Sequence, residues 1–233
     1  MTASQTTSPS DAARAAPTSN RQPRRLGVAG RTVDQRLAGP HGLQSRHLQR
    51  NESAARGQLA ALRKASSQAP GESPEVWSLT EVVVPEHAGD APTWEEIAVH
   101  TAMTLYAVHQ QSRTEPMFSP GRGLGRAARA LVGIGEEENP STRARFNALV
   151  TSTTITELQH HLRGFISQLR AQSIPLDHAM LADDLVAFQR PDGATTVRLR
   201  WARQFASPHT SEDPSRTSAP STTSSPTSST PEN

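Results

Sequence analysis

The sequence predicts an all-α domain. Three observations carry that expectation. Apolar residues recur at helical spacing in segment after segment from Asn51 onward. Two of those segments open on a Thr followed three residues later by Glu, at Thr93/Glu96 and Thr154/Glu157. No segment offers a convincing strand partner, and an isolated strand is unstable.

The expected domain runs over residues 29–206. Residues 207–233 contain one apolar residue, Ala219, and 20 of the 27 positions are Ser, Thr or Pro. Such a segment cannot bury enough apolar surface to offset the entropy of ordering it, so it is expected to be disordered. Residues 1–28, rich in Ser, Thr, Ala, Pro and Arg, are expected to behave alike.

Within the domain, Thr32 to Ala38 and Gly42 to Arg50 each hold a short helix at most, separated by Gly39-Pro40. Ala55, Leu59 and Leu62 mark the next helix. Ser73-Pro74 opens another, with Trp77, Thr80, Val83 and Val84 on one side up to Pro85. The β-branched run Val82 to Val84 weakens that assignment. Thr93 starts a longer helix with Trp94, Ile97, Ala98, Ala102, Leu105 and Val108 inward. A helix over Arg122–Ile134 buries Leu124, Ala127, Ala128, Leu131 and Ile134. Asn139-Pro140 opens one with Phe146, Leu149 and Val150 inward. Thr154 leads into Leu158, Leu162, Phe165, Ile166 and Leu169. Asp177 caps a helix carrying Leu181, Leu185 and Phe188. Thr195 to Ala206 fits a helix through Val197, Trp201 and Phe205, or a strand through Val197, Leu199 and Trp201. Helix is preferred, for want of a pairing strand. Trp77, Trp94, Phe165 and Phe188 are expected in the core.

Composition excludes several functions. The chain has no Cys, hence no disulfide, thiolate metal site or Cys nucleophile. Its longest apolar runs are three or four residues, too short to span a membrane. The first ten residues lack the apolar core of a secretory signal. A soluble, cytoplasmic protein is expected.

Charge is segregated along the chain. The net charge is +2, with 23 Arg and a single Lys, Lys64. Residues 1–71 carry 11 basic and 3 acidic side chains, and residues 72–112 carry 7 acids and no base. A small net charge therefore conceals basic surface.

Arg122, Arg126 and Arg129 fall within roughly 60° of one helix face, opposite the apolar side. No acid relieves their repulsion, so this ridge suits an anionic partner, although a solvated face explains it equally well. The preceding Gly121-Arg122-Gly123-Leu124-Gly125 loop could present backbone N–H groups to a phosphate. Its GxGxG spacing and the lack of a preceding strand exclude a dinucleotide fingerprint. Arg56 and Arg63, with Lys64 adjacent, sit seven residues apart on an earlier helix. Arg143 and Arg145 flank the start of the Phe146 helix, Arg163 and Arg170 are again seven apart, and Arg198, Arg200 and Arg203 crowd the last helix. Repetition on several helices points to a basic groove for nucleic acid.

Enzyme readings fare worse. Asp177 reads as a cap, Asp183 and Asp184 point apart, and the neighbours His160 and His161 cannot chelate together. No HExxH, GxSxG or GxxxxGK[ST] pattern occurs. No catalysis, metal or cofactor is expected. Aromatics are too few for a base-stacking platform, which favours backbone contact over sequence readout.

Several strings resemble the CasB family, the small subunit of the type I-E CRISPR Cascade complex. Arg56 to Ala65 is similar to its RGxLAALRRA segment, and Thr101 to Gln110 to its AxTLyAlHq helix. Leu124 to Ala127, Arg145 to Leu149, His161 to Phe165, Ile174 to Asp177 and Arg200 to Phe205 resemble five further segments, in the family's order. The resemblance covers about residues 50–206. It implies two packed helix bundles and a non-catalytic subunit of an RNA-guided complex. Its implied partners are crRNA, target DNA, the other Cascade subunits (backbone and large) and a second copy of itself, with no membrane. Basic side chains would support the guide–target heteroduplex and hold the displaced strand, while guide pairing reads the sequence. The motifs carry that role onto Arg56, Arg63, Arg126, Arg145 and Arg163. The Arg-rich N-terminal extension has no family counterpart. The alternative is a free-standing helical regulator that binds duplex DNA.

Overall fold

In a computed structural model, described for residues 24–86 and 88–207, ten α-helices fold around one continuous apolar core. They are α1 (Val28–Leu37), α2 (Leu43–Leu48), α3 (Ser53–Ala65), α4 (Trp77–Thr80), α5 (Trp94–His109), α6 (Leu124–Val132), α7 (Pro140–Thr151), α8 (Ile155–Ala171), α9 (His178–Gln189) and α10 (Gly193–Ala206). Short 3₁₀ turns lie at Pro74–Val76 and Gly135–Glu137. Among the described residues the only β pairing is an isolated bridge between Phe118 and Leu176.

Two groups of helices pack together. The first gathers α1 to α4 around α5 and α9, and the second joins α6, α7, α8 and α10. They meet where α9 packs on α10 and α5 on α8. A helix apolar all round belongs in the interior, and α5 and α9 are the two that come nearest to that. Every residue of α5 from Ala98 to Ala107 is buried, including His100, Thr101 and Thr104. The hydroxyls of Thr101 and Thr104 donate to carbonyls one turn back, and His100 Nε2 reaches the Ala65 and Gln68 carbonyls, while His100 Nδ1 has no partner among the described residues.

Local rules fix most helix ends. Thr93 and Glu96 form a complete capping box. The Thr154 hydroxyl accepts from the Glu157 N–H, but Glu157 reaches past the cap to the Thr153 N–H. Asn139 and Asp177 cap α7 and α9 as expected. The ambiguous final segment is helix, with Val197 and Trp201 buried.

Several expectations fail. The helix expected up to Pro85 ends at Thr80. The β-branched run beyond it has no regular structure, and Val83 lies 90% exposed. Trp77 and Trp94, assigned to the core, are 53% and 43% exposed, whereas Phe165 and Phe188 are buried. Trp77 instead turns its indole N–H to the Gly71 carbonyl. Ile134 has left the helix and is exposed. The expected boundary at residue 28 falls inside packed structure. Arg24 bonds Asp34 at 2.5 Å and Asp177 at 2.6 Å, and α1 begins at Val28. The tail from 208 onward and residues 1–23 lie outside the described residues.

Candidate nucleic-acid interface

The eleven candidate basic residues divide by what holds them. Three are engaged within the protein. Arg143 makes a two-pronged ion pair with Glu138, at 2.8 Å on each side, and stacks over the Phe205 ring. Arg200 pairs with Asp184. Arg129 donates to the carbonyls of Phe205 and Ala206, the last turn of α10.

Five have no side-chain hydrogen bond or ion pair among the described residues: Arg63, Lys64, Arg122, Arg163 and Arg203. The last three lie on three different segments, and Lys64 and Arg203 are exposed. The remaining three make single neutral contacts. Arg56 donates to Asn51 Oδ1 at 2.7 Å, Arg126 to the Gly121 carbonyl at 3.3 Å, and Arg145 lies against the Gln168 amide.

The expected ridge is therefore not one feature. Arg122 precedes α6 rather than standing on it, because the chain there is pinned by its own backbone: its carbonyl accepts from the Asp177 N–H. Burial without a partner pushes the Arg122 guanidinium pKa down. Arg129 neutralises orphan carbonyls at a helix end, where a cation is favoured. Arg126 alone stands exposed on the helix.

The glycine loop is likewise not a phosphate cradle. The Gly121 N–H donates to Asp177 at 2.6 Å, and the Gly125 N–H donates to Gln204 Oε1 at 3.0 Å. Gly125 is required by a close crossing of α6 and α10, since a Cβ there would overlap the Trp201 carbonyl.

Asp177 is a hub that the cap signal only partly revealed. Fully buried, it accepts from Arg24, Gly121, Ala179 and Met180. It ties the start of α9 to residues 24 and 121, so it positions the Arg122 segment. Asp183 accepts from the Gly27 and Gly30 N–H groups and so caps α1 from a distance. Asp184 is buried, accepting from Arg200 and, at 2.6 Å, from the Trp201 indole. Burial pushes its carboxyl up to about 6, against the pull of those two donors. No sequence signal distinguishes these long-range partners. Among the described residues no cluster of three or more His, Asp or Glu could hold a metal, and no helix is long and apolar enough to cross a membrane.

The α2 helix links the free arginines of α3 to the Arg122 segment. Its Gln44 side chain both donates to and accepts from the Phe118 backbone, and α2 itself packs on α3.

Comparison with known proteins places the chain in a family. The family model described as CRISPR-associated protein Cse2 matches residues 58–205, more than half of the chain. The solved CasB from Thermobifida fusca is 33% identical and superposes with a TM-score of 0.64, covering 78% of this chain and all of that one. CasB from Thermus thermophilus is 25% identical, with a TM-score of 0.53 over 76% of this chain and 96% of that one. No curated protein matches. The family match runs from within α3 to within α10, leaving α1 and α2 outside it, and the chain belongs to the Cse2 (CasB) family of CRISPR-associated proteins.

Proposed function

We propose that this chain is the non-catalytic small subunit of a type I-E CRISPR surveillance complex, Cascade, acting in antiviral defence in the cytoplasm. Its free basic side chains hold the backbones of the crRNA–target heteroduplex and of the displaced DNA strand. Its other partners are the backbone and large subunits and a second copy of itself. The observation that carries the reading is the set of basic groups that have no acid partner among the described residues: Arg56, Arg63, Lys64, Arg122, Arg126, Arg145, Arg163 and Arg203. An unpaired guanidinium that is also partly desolvated, as at Arg122, is disfavoured unless an anion docks on it. The acids that might serve a nuclease have structural work instead, as caps or in the Asp184 pair.

Salt-dependent binding tests this. Each phosphate contact releases counterions, so log affinity falls linearly with log salt. Arg122→Ala with Arg126→Ala should lower the magnitude of the slope on duplex DNA by about two, equally for unrelated sequences. Arg129→Ala should leave the slope alone and lower stability by about 1 kcal/mol, through the lost carbonyl contacts. Unchanged slope and affinity in the double variant would refute the interface. A loss confined to one DNA sequence would favour the regulator alternative.

A further inference from the structure

Arg56 and Arg63 stand seven residues apart on α3 and so share a face. Across from them is a third polar group, one that no sequence pattern singles out. His47 lies in the last turn of α2, which packs on α3. The guanidinium charges acting on its ring are those of Arg56 and Arg63. Neither ring nitrogen has a hydrogen-bond partner among the described residues. The ring is half-buried with Nδ1 inside, which leaves the Nε2 edge toward the surface.

We infer that His47, Arg56 and Arg63 form one phosphate seat across α2 and α3, and that an anion docking there is joined by a proton on His47. The inference rests on the reading that the α3 arginines face nucleic acid. In the free protein, burial first and then the charges of Arg56 and Arg63 lower the ring's pKa, favouring its neutral form. A phosphodiester offsets those charges and accepts from Nε2–H, so the imidazolium becomes favourable. Lys64, beside Arg63 on α3, is exposed and without a partner among the described residues, whereas the acids on the packed elements are engaged. Glu52 pairs with Arg46 and Arg50, and His41 approaches Arg50. On α1, Arg24 holds Asp34, and Arg36 donates to the Glu81 carbonyl. Because coupling is reciprocal, a group that gains a proton on binding makes binding tighter as the pH falls.

The test uses the full chain and a labelled single-stranded DNA of mixed sequence. Affinity is measured near pH 8 and near pH 6, where an ordinary histidine changes charge. Wild type should bind roughly three- to tenfold tighter near pH 6, up to tenfold for each unit that binding raises the ring's pKa. His47→Gln should remove that gain, so that its affinities near pH 8 and near pH 6 differ far less than those of wild type. Arg56→Ala with Arg63→Ala should weaken binding at both. The His47 ring resonance, followed by NMR in folded wild type, should titrate at higher pH with DNA than without. A pH gain that survives in His47→Gln, or a ring titration indifferent to DNA, overturns the proton-linked seat while leaving the basic interface standing. Wild-type affinity in the double arginine variant overturns both.

Discussion

The edge formed by α2 and α3 and the seam between α6 and α10 begin from the same sequence pattern. Each has arginines at helical spacing with no neighbouring acid. At the edge, Arg56 and Arg63 meet no acid, and only Arg56 has a partner, the neutral Asn51 side chain. At the seam, Arg129 of α6 is drawn onto the terminal carbonyls of α10, and Arg200 of α10 onto Asp184 of α9; beside it, Arg143 of α7 pairs with Glu138 just ahead of its own helix. Like-charge spacing on a helix therefore does not identify a ligand site. What decides is whether another helix end or a carboxylate arrives from elsewhere in the fold.

The sharpest way to break the contrast is through two glycines. Gly125→Ala should destabilise by about 3 kcal/mol, because the new Cβ would overlap the Trp201 carbonyl and approach the Phe205 nitrogen at 2.9 Å. Chemical denaturation would report it. A loss below about 1 kcal/mol would show that the crossing relaxes easily.

The buried acid of the seam gives the next effect. The fold favours the protonated Asp184, whose carboxyl is pushed up to about 6. That contribution is complete below about pH 4 and is lost as the pH rises through about 6. His109, pushed down to about 4 by burial, works in the opposite sense. The unfolded chain takes up its proton below about pH 6.5, so stability is lost as the pH falls from there toward 4. Buried His178, shifted down too, adds to this. Asp184→Asn is neutral at every pH and should leave the histidine limb uncovered. Its stability should fall more steeply than that of wild type between about pH 6 and pH 4, by roughly 2–3 kcal/mol. Parallel profiles would mean that Asp184 does not titrate in this range.

The smallest effect lies at the edge. Nothing approaches a Cβ built on Gly57, in the middle of α3. Gly57→Ala should raise stability by about 0.5–1 kcal/mol and leave DNA binding intact. A decrease would reveal a close approach at this surface. Opposite signs at Gly125 and Gly57 would confirm that the seam is packed and the edge is open.

The sequence alone determined the helical fold class, most of the helix order and the caps at Thr93, Asn139 and Asp177. Those rest on local periodicity and on hydrogen bonds three residues long, which the chain carries wherever it goes. It also singled out, by charge spacing, the arginines that remain free at Arg56, Arg63 and Arg126. It could not separate them from Arg129, Arg143 and Arg200. It placed Trp77 and Trp94 inside because it weighed apolar area without knowing which face the neighbours cover. It read Arg24 as part of a tail, found no partner for Asp183 and offered Gly121 to Gly125 as an anion loop. Each of those has partners between 50 and 160 residues away in the chain. Only tertiary packing brings such groups together, and a charge is free or engaged according to what that packing sets beside it.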